Sequence, residues 1–294
     1  MEHVAWSHRP ALRTPVMVAA FTGWNDAGDA ASLAVDHLGD TFGAERFASI
    51  DAEEFFDFQS SRPNVRLADG VTREIVWPAN DFLHASTPGG DLVLLLGNEP
   101  QLKWRTFCEQ VLGVADVLGV RLVITLGALL ADVPHRRPVQ IIGTGTDPVV
   151  IERFGLTRSR YEGPTGIVGV LHDACARVPI PSVSLWAAVP GYAASTSSPK
   201  AALALVSSAG SLIGTPVKGG ALAASVTAYE EEIDELIGSD DDLLGYVRRL
   251  ELLHDGDVDE DDEDEDDDDV DVDEVGETTT ERLVEDIERF LRDQ

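Results

Sequence analysis

Five side chains beside glycine-rich turns or at strand ends have the chemistry to act on a ligand: the carboxylates Asp26, Glu99 and Glu162 and the imidazoles His135 and His172. Held in a cleft, each could serve as a general acid or base. Asp26 and Glu99 also have a quieter use, because the free N–H groups and dipole of a helix start favour an acidic cap. His135-Arg136-Arg137 is the tight basic cluster beside a turn. It could clamp a phosphate or carboxylate, or lie solvated in a loop. Gly143-Thr144-Gly145-Thr146 could aim N–H groups at an anion. No Gly-Lys-Ser/Thr follows, so it is not the phosphate loop of nucleotide hydrolases, and Gly23 to Gly28 misses the dinucleotide spacing.

Other constellations are absent from the sequence. Seven histidines, at positions 3, 8, 37, 84, 135, 172 and 254, form no metal-ligand spacing with cysteines or with each other. There is no Gly-x-Ser-x-Gly elbow for a nucleophilic serine. Trp24 and Trp186 have no basic residue beside them, and Trp24, Trp104 and Trp186 are read as packing and not as a base-stacking platform. We therefore expect no catalytic residue, no metal ligand and no cofactor. If a ligand binds, the expected pocket comprises Gly23, Asn25, Asp26, Glu99, Thr144 and Glu162, with His135 or Arg136 holding an anion.

These residues need a frame. Val16 to Phe21, Leu92 to Leu96, Leu122 to Leu126 and Val183 to Val189 are continuous apolar runs, each closed by a polar or glycine-bearing turn. Such runs suit strands covered on both faces. Helical patterns follow three of them, the rhythm of a parallel α/β sheet, in which ligands gather at the carboxyl edge. Helices are expected over Ala27 to Phe42 (capped by Asn25 or Asp26), Trp104 to Leu118, Pro148 to Phe154 and Pro199 to Ile213, the last as a crossover. Further strands are expected at Arg46 to Ile50, Arg73 to Trp77, Val139 to Ile142 and Gly166 to Gly169, with residues 1–13 irregular.

Gly219-Gly220 breaks the chain, and two apolar stripes follow, from Ala221 to Ile237 and Asp240 to His254, with Ser239 available as a cap between them. From Asp255 to Glu277 there are 17 acidic residues and no basic one. Beyond this run, Thr278 and Glu281 form a capping-box pattern, and Leu283, Val284, Ile287, Phe290 and Leu291 share one helical face. The expected organisation is an α/β core at 1–218, a helical hairpin at 219–254, an acidic disordered tether at 255–277 and an amphipathic terminal helix at 278–294. That helix is too short to stand alone and should dock through Leu283, Ile287, Phe290 and Leu291.

The net charge is −31, and the chain outside the acidic run is still −14. This argues against non-specific binding to nucleic acid or anionic membrane. No apolar run approaches the ~20 residues needed to span a bilayer, and residues 1–13 carry no apolar signal core. Cys108 and Cys175, far apart and outside any C-x-x-C, are expected to be free buried thiols in a cytoplasmic protein.

Gly23-Trp24-Asn25-Asp26-Ala27-Gly28, Leu96-Gly97-Asn98-Glu99-Pro100, Thr125-Leu126-Gly127 with Leu130-Ala131-Asp132-Val133-Pro134, Tyr161-Glu162-Gly163-Pro164-Thr165-Gly166 and Ser184-Leu185-Trp186-Ala187-Ala188-Val189-Pro190 stand in that order. The set resembles the bacterial branch of the proteasome assembly chaperone family, of the second-chaperone type, over about Pro15 to Ile237. The resemblance implies a three-layer α/β/α sandwich of the nucleoside phosphorylase type with a mostly parallel sheet and a helical C-terminal extension. It implies a homo-oligomer, with a trimer expected, and proteasome subunits as partners. Archaeal relatives engage proteasome cores through a hydrophobic–Tyr–any-residue ending, whereas this sequence ends Arg292-Asp293-Gln294. Bacterial members have also been labelled as ligases of the ATP-grasp type, but no glycine-rich nucleotide loop or ordered metal-carboxylate set supports that here.

The leading expectation is a non-enzymatic, oligomeric binding or assembly factor. The alternative is an enzyme or small-molecule binder of nucleoside phosphorylase or hydrolase type, using the carboxyl edge of the sheet. A third reading makes the acidic run an electrostatic lure for basic proteins, which high salt would abolish.

Overall fold

A computed structural model of the chain describes residues 1–256. Asp255 and Gly256, expected to open the tether at 255–277, instead end and cap the last described helix; the rest of the expected tether and the expected terminal helix lie outside the described residues. In chain order the strands are β1 (Val4–Trp6), β2 (Val16–Thr22), β3 (Glu45–Ile50), β4 (Asn64–Ala68), β5 (Thr72–Val76), β6 (Asn80–Thr87), β7 (Gly90–Asn98), β8 (Leu122–Ala131), β9 (Ile141–Gly145) and β10 (Ser182–Pro190). The helices are α1 (Ala30–Phe42), α2 (Trp104–Leu118), α3 (Pro148–Phe154), α4 (Ile167–Ala176), α5 (Pro199–Ile213), α6 (Gly220–Gly238) and α7 (Asp241–Asp255).

The four apolar runs lie side by side. They form the parallel centre β7-β2-β8-β10 of an eight-stranded sheet ordered β1-β3-β6-β7-β2-β8-β10-β9. The flanking strands pair antiparallel. Alternation along β2 explains why its run is continuous. Val16, Val18 and Ala20 pack with α1 and α5, while Met17, Ala19 and Phe21 pack with α2 and α4. These helices on the two faces make the three-layer α/β/α sandwich. Phe55 and Phe56, from the long segment after β3, complete the second layer, and Phe107 meets Phe21 and Phe55 edge-on at 5.8 and 5.4 Å.

Several expectations change. Residues 1–13 are not wholly irregular: Val4 pairs with Ile50 at the sheet edge. Gly166 to Gly169 is not a strand. Gly166 is the extended residue before α4, and Ile167, Val168, Leu171 and Cys175 are buried at helical spacing. The strand expected at Val139 to Ile142 starts later, so Thr144 lies within β9. The Arg73 to Trp77 segment leaves the main sheet and pairs with β4 in a separate ribbon. No strand follows α5 among the described residues, so α5 is a cover and not a crossover. Between α6 and α7 the cap is Asp240, which accepts from the N–H groups of Asp242 and Leu243 at 3.0 and 3.1 Å, while Ser239 donates its hydroxyl to Leu236 O. Tyr229, Ile233 and Ile237 of α6 and Val247 of α7 close a satellite core over Ala193.

Candidate functional site

At the carboxyl edge of β2 the chain turns at Gly23, whose φ of 127° excludes most side chains. Asn25 follows and is 1% exposed. Its Nδ2 donates to Glu99 Oε1 at 2.7 Å, and the same oxygen accepts the N–H of Ile167 at 2.8 Å. Three segments distant in sequence therefore meet at one carboxylate: the turn after β2, the turn after β7, and the start of α4. A side chain on Gly166 would collide with the Asn25 amide, which is why glycine precedes α4.

Asp26 is also a cap, reached by an indirect route. Ala27–Asp29 form a 3₁₀ turn with Gly28 and Asp29 at φ 57° and 51°, and α1 starts only after it. Asp26 Oδ1 reaches past this turn to the N–H groups of Ala31 and Ser32 at 2.7 and 3.2 Å. Burial pushes its carboxyl above the usual carboxylate range, against the pull of these donors. Asp26 Oδ2 and Asn25 Oδ1 are buried without a protein partner. Beside Asp26, but not lined by Asn25 or Glu99, lies an open depression of about 430 Å³ bordered by Trp24, Asp26, Asp29, Leu130 and Trp186.

His135 and Arg136 do not join this group. His135, on the loop after β8, is 3% exposed. Its backbone N–H donates to the Tyr192 hydroxyl at 2.8 Å, its Nδ1 lies 3.0 Å from that hydroxyl, and its Nε2 lies 3.0 Å from Asp234 Oδ1. A neutral ring with the proton on Nε2 satisfies all three contacts. Arg136 also binds Asp234, Arg137 binds Glu251 and Asp255, and Lys200 reaches Glu230 at 2.6 Å. The basic cluster thus meets the chain's own carboxylates on α6 and α7 and fastens those helices to the sheet edge. The cavity beside His135, about 10 Å³, has no room for a ligand. Thr144 sits on β9 opposite Ser184 at the sheet margin, and Glu162 is exposed in the segment before α4. Neither borders the depression.

Trp186 was not foreseen as a pocket residue. It stands opposite Gly127 in the β8–β10 register, and its indole covers that glycine. The signal is a glycine inside a strand, readable only once the pairing is known. Cys108 and Cys175 are free and buried, and burial pushes both thiols up to about 12. Among the described residues no group of histidines, cysteines and acids could hold a metal, and no helix is long and apolar enough to cross a membrane.

Two histidines give a pH prediction. Burial holds His135 and His172 below the usual 6.5, and Arg136 adds repulsion at His135. The unfolded chain takes up these protons near pH 6.5 while the folded chain resists them. The stabilisation is complete above about pH 6.5 and is lost as pH falls below it. The thermal midpoint should fall between about pH 7 and 5.5, and fall less steeply with His135→Gln and His172→Gln combined. An unchanged slope would exclude these groups as its source.

The topology and the capped turns at the carboxyl edge define a three-layer α/β/α protein. The chain belongs to the PAC2 family, whose model matches residues 20–237. A proteasome-assembly chaperone homologue of Mycobacterium tuberculosis, Rv2125, is 47% identical, with a TM-score of 0.72 over 79% of this chain and 99% of that one. A PAC2 family protein of Streptomyces avermitilis is also 47% identical, with a TM-score of 0.75 over the same shares. PbaB of Pyrococcus furiosus, an archaeal proteasome activator, shares the fold at 19% identity and a TM-score of 0.65, over 79% of this chain and 97% of that one. No curated protein matches the chain.

Proposed function

We propose that this protein is a non-enzymatic assembly factor for proteasome subunits, acting in the cytoplasm as a homo-oligomer, with a trimer favoured. The observation that carries the reading is the 47% identity to a proteasome-assembly chaperone homologue, over 79% of this chain and 99% of that one. The geometry lends support: Asp26 Oδ1 and Glu99 Oε1 are occupied by helix N–H groups, and His135 by Tyr192 and Asp234. The phosphorylase or hydrolase alternative has correspondingly less in its favour.

For self-association we favour the β4–β5 ribbon. Val65 and Ile75 face each other across it and are exposed, as are Leu67, Val71 and Trp77. A two-stranded ribbon is marginal alone in water, and an exposed apolar patch of this kind suits a contact between copies. In this reading the α/β body (1–218) and helical pair (219–256) carry the acidic tether (257–277) and the docking helix (278–294).

The test mixes the full chain with free proteasome subunits from its own host and follows assembly by native mass spectrometry. Faster assembly and a detectable complex are expected. Leu283→Ala, Ile287→Ala and Phe290→Ala together should weaken that complex at least about tenfold, the loss of three apolar anchors. Assembly at the unassisted rate, with no complex, would sink the proposal.

A further inference from the structure

The depression at the carboxyl edge of β2 and β8 sets aromatic faces beside negative charge. Two indoles border it. Trp186 is fixed: its Nε1–H donates to Ser184 Oγ at 3.0 Å, and its ring lies so close over Gly127 that a Cβ there would come within 2.7 Å. Trp24 stands on the opposite turn and is 40% exposed, unusual for so large an apolar side chain. Two carboxylates also lie on the border. Asp29 is held in the left-handed region at φ 51° and accepts a hydrogen bond from the Ser197 hydroxyl. Asp26 is 6% exposed, its Oδ1 is taken by the N–H groups of Ala31 and Ser32 and its Oδ2 is itself buried, so it gives the border negative charge and not a direct contact. The border contains no lysine, arginine or histidine.

We propose that this depression binds a guanidinium or ammonium group on an aliphatic stem, with the cation against Trp24 and the carboxylate of Asp29 and within the field of the buried Asp26. Indole faces attract cations, and a carboxylate pair without a counter-ion supplies the complementary charge. A volume of about 430 Å³ exceeds that of a cationic head group and leaves room for the stem along Leu130. The hydroxyls of Ser195, Thr196 and Ser197 could also suit an anion, but Asp26 and Asp29 would repel one. The cation could be a free small amine or a basic side chain of a polypeptide.

The test titrates the full chain with agmatine, with Nα-acetyl-arginine methylamide and with neutral N-butylurea, read by tryptophan fluorescence and calorimetry. Saturable binding of one or both guanidinium probes, without the urea, is expected. Binding of agmatine alone identifies a free amine as the source, and binding of the arginine amide alone identifies a polypeptide side chain. Trp24→Ala and Asp29→Asn should each weaken binding at least about fivefold, the loss of one cation–π contact or one charge-assisted bond. Both variants should fold, since Trp24 is exposed and asparagine tolerates a positive φ. The proposal is overturned if neither guanidinium probe saturates, if the urea binds equally well, or if both variants bind like the parent. No proteasome component is used, so its failure leaves the assembly reading standing.

Discussion

Gly97→Ala should cost about 3 kcal/mol or more, the upper range for forcing atoms into a packed site. A Cβ on Gly97 would lie 2.1 Å from Ala79 O and 2.6 Å from Asn80 Cα. Both are backbone atoms at the start of the neighbouring strand β6, so no flexible side chain can yield. Relief requires the start of β6 to move away from β7, where Ala79 O accepts the Asn98 N–H at 3.2 Å and Asn80 pairs with Gly97. On a domain of this size the thermal midpoint should drop by about 6–12 °C. Gly245→Ala is the control. It lies in α7 with nothing within 4 Å of an added Cβ, and it should be neutral or slightly stabilising. Equal midpoints for Gly97→Ala and the parent would show that the two strands are looser than described.

Glu99→Ala is the second large effect. It removes the acceptor for both Asn25 Nδ2 and the Ile167 N–H. Asn25 is almost wholly buried, and its Oδ1 already lacks a partner, so its entire amide would be left unsatisfied. Two orphaned donors should cost about 2–5 kcal/mol in urea unfolding. Glu99→Gln keeps a carbonyl oxygen in place and should recover most of that loss. An alanine variant as stable as the parent would mean that Glu99 does not join the two turns to α4, and a chemical role for it would regain ground.

The sheet centre and most helices are legible because their causes are local. Covered strands read as unbroken apolar runs, and α2, α3 and α5 begin and end where apolar spacing, proline and glycine say they should. Two of the antiparallel strands are not legible, since β6 mixes Asn80, Asp81, His84 and Ser86 into its run and β1 is three residues long. The segment at Gly166 misleads because Ile167-Val168 is β-branched and short, and only packing on the sheet makes it helical. The roles of the acids lie furthest from sequence reasoning. Glu99 caps a helix whose first residue is 68 positions away, and Arg136 meets Asp234 across 98. The composition of a turn announces that an acid will cap something, but the fold decides which helix it caps.

One measurement tests the assembly reading most directly. The full chain, carried on a gentle affinity tag in a proteasome-bearing host, would be recovered with its partners and the complex weighed. The account predicts proteasome subunits in stoichiometric amount, together with an oligomer of this chain, and loss of the subunits when residues 257–294 are deleted. A clean oligomer that brings down no proteasome subunit, with or without that segment, would contradict it.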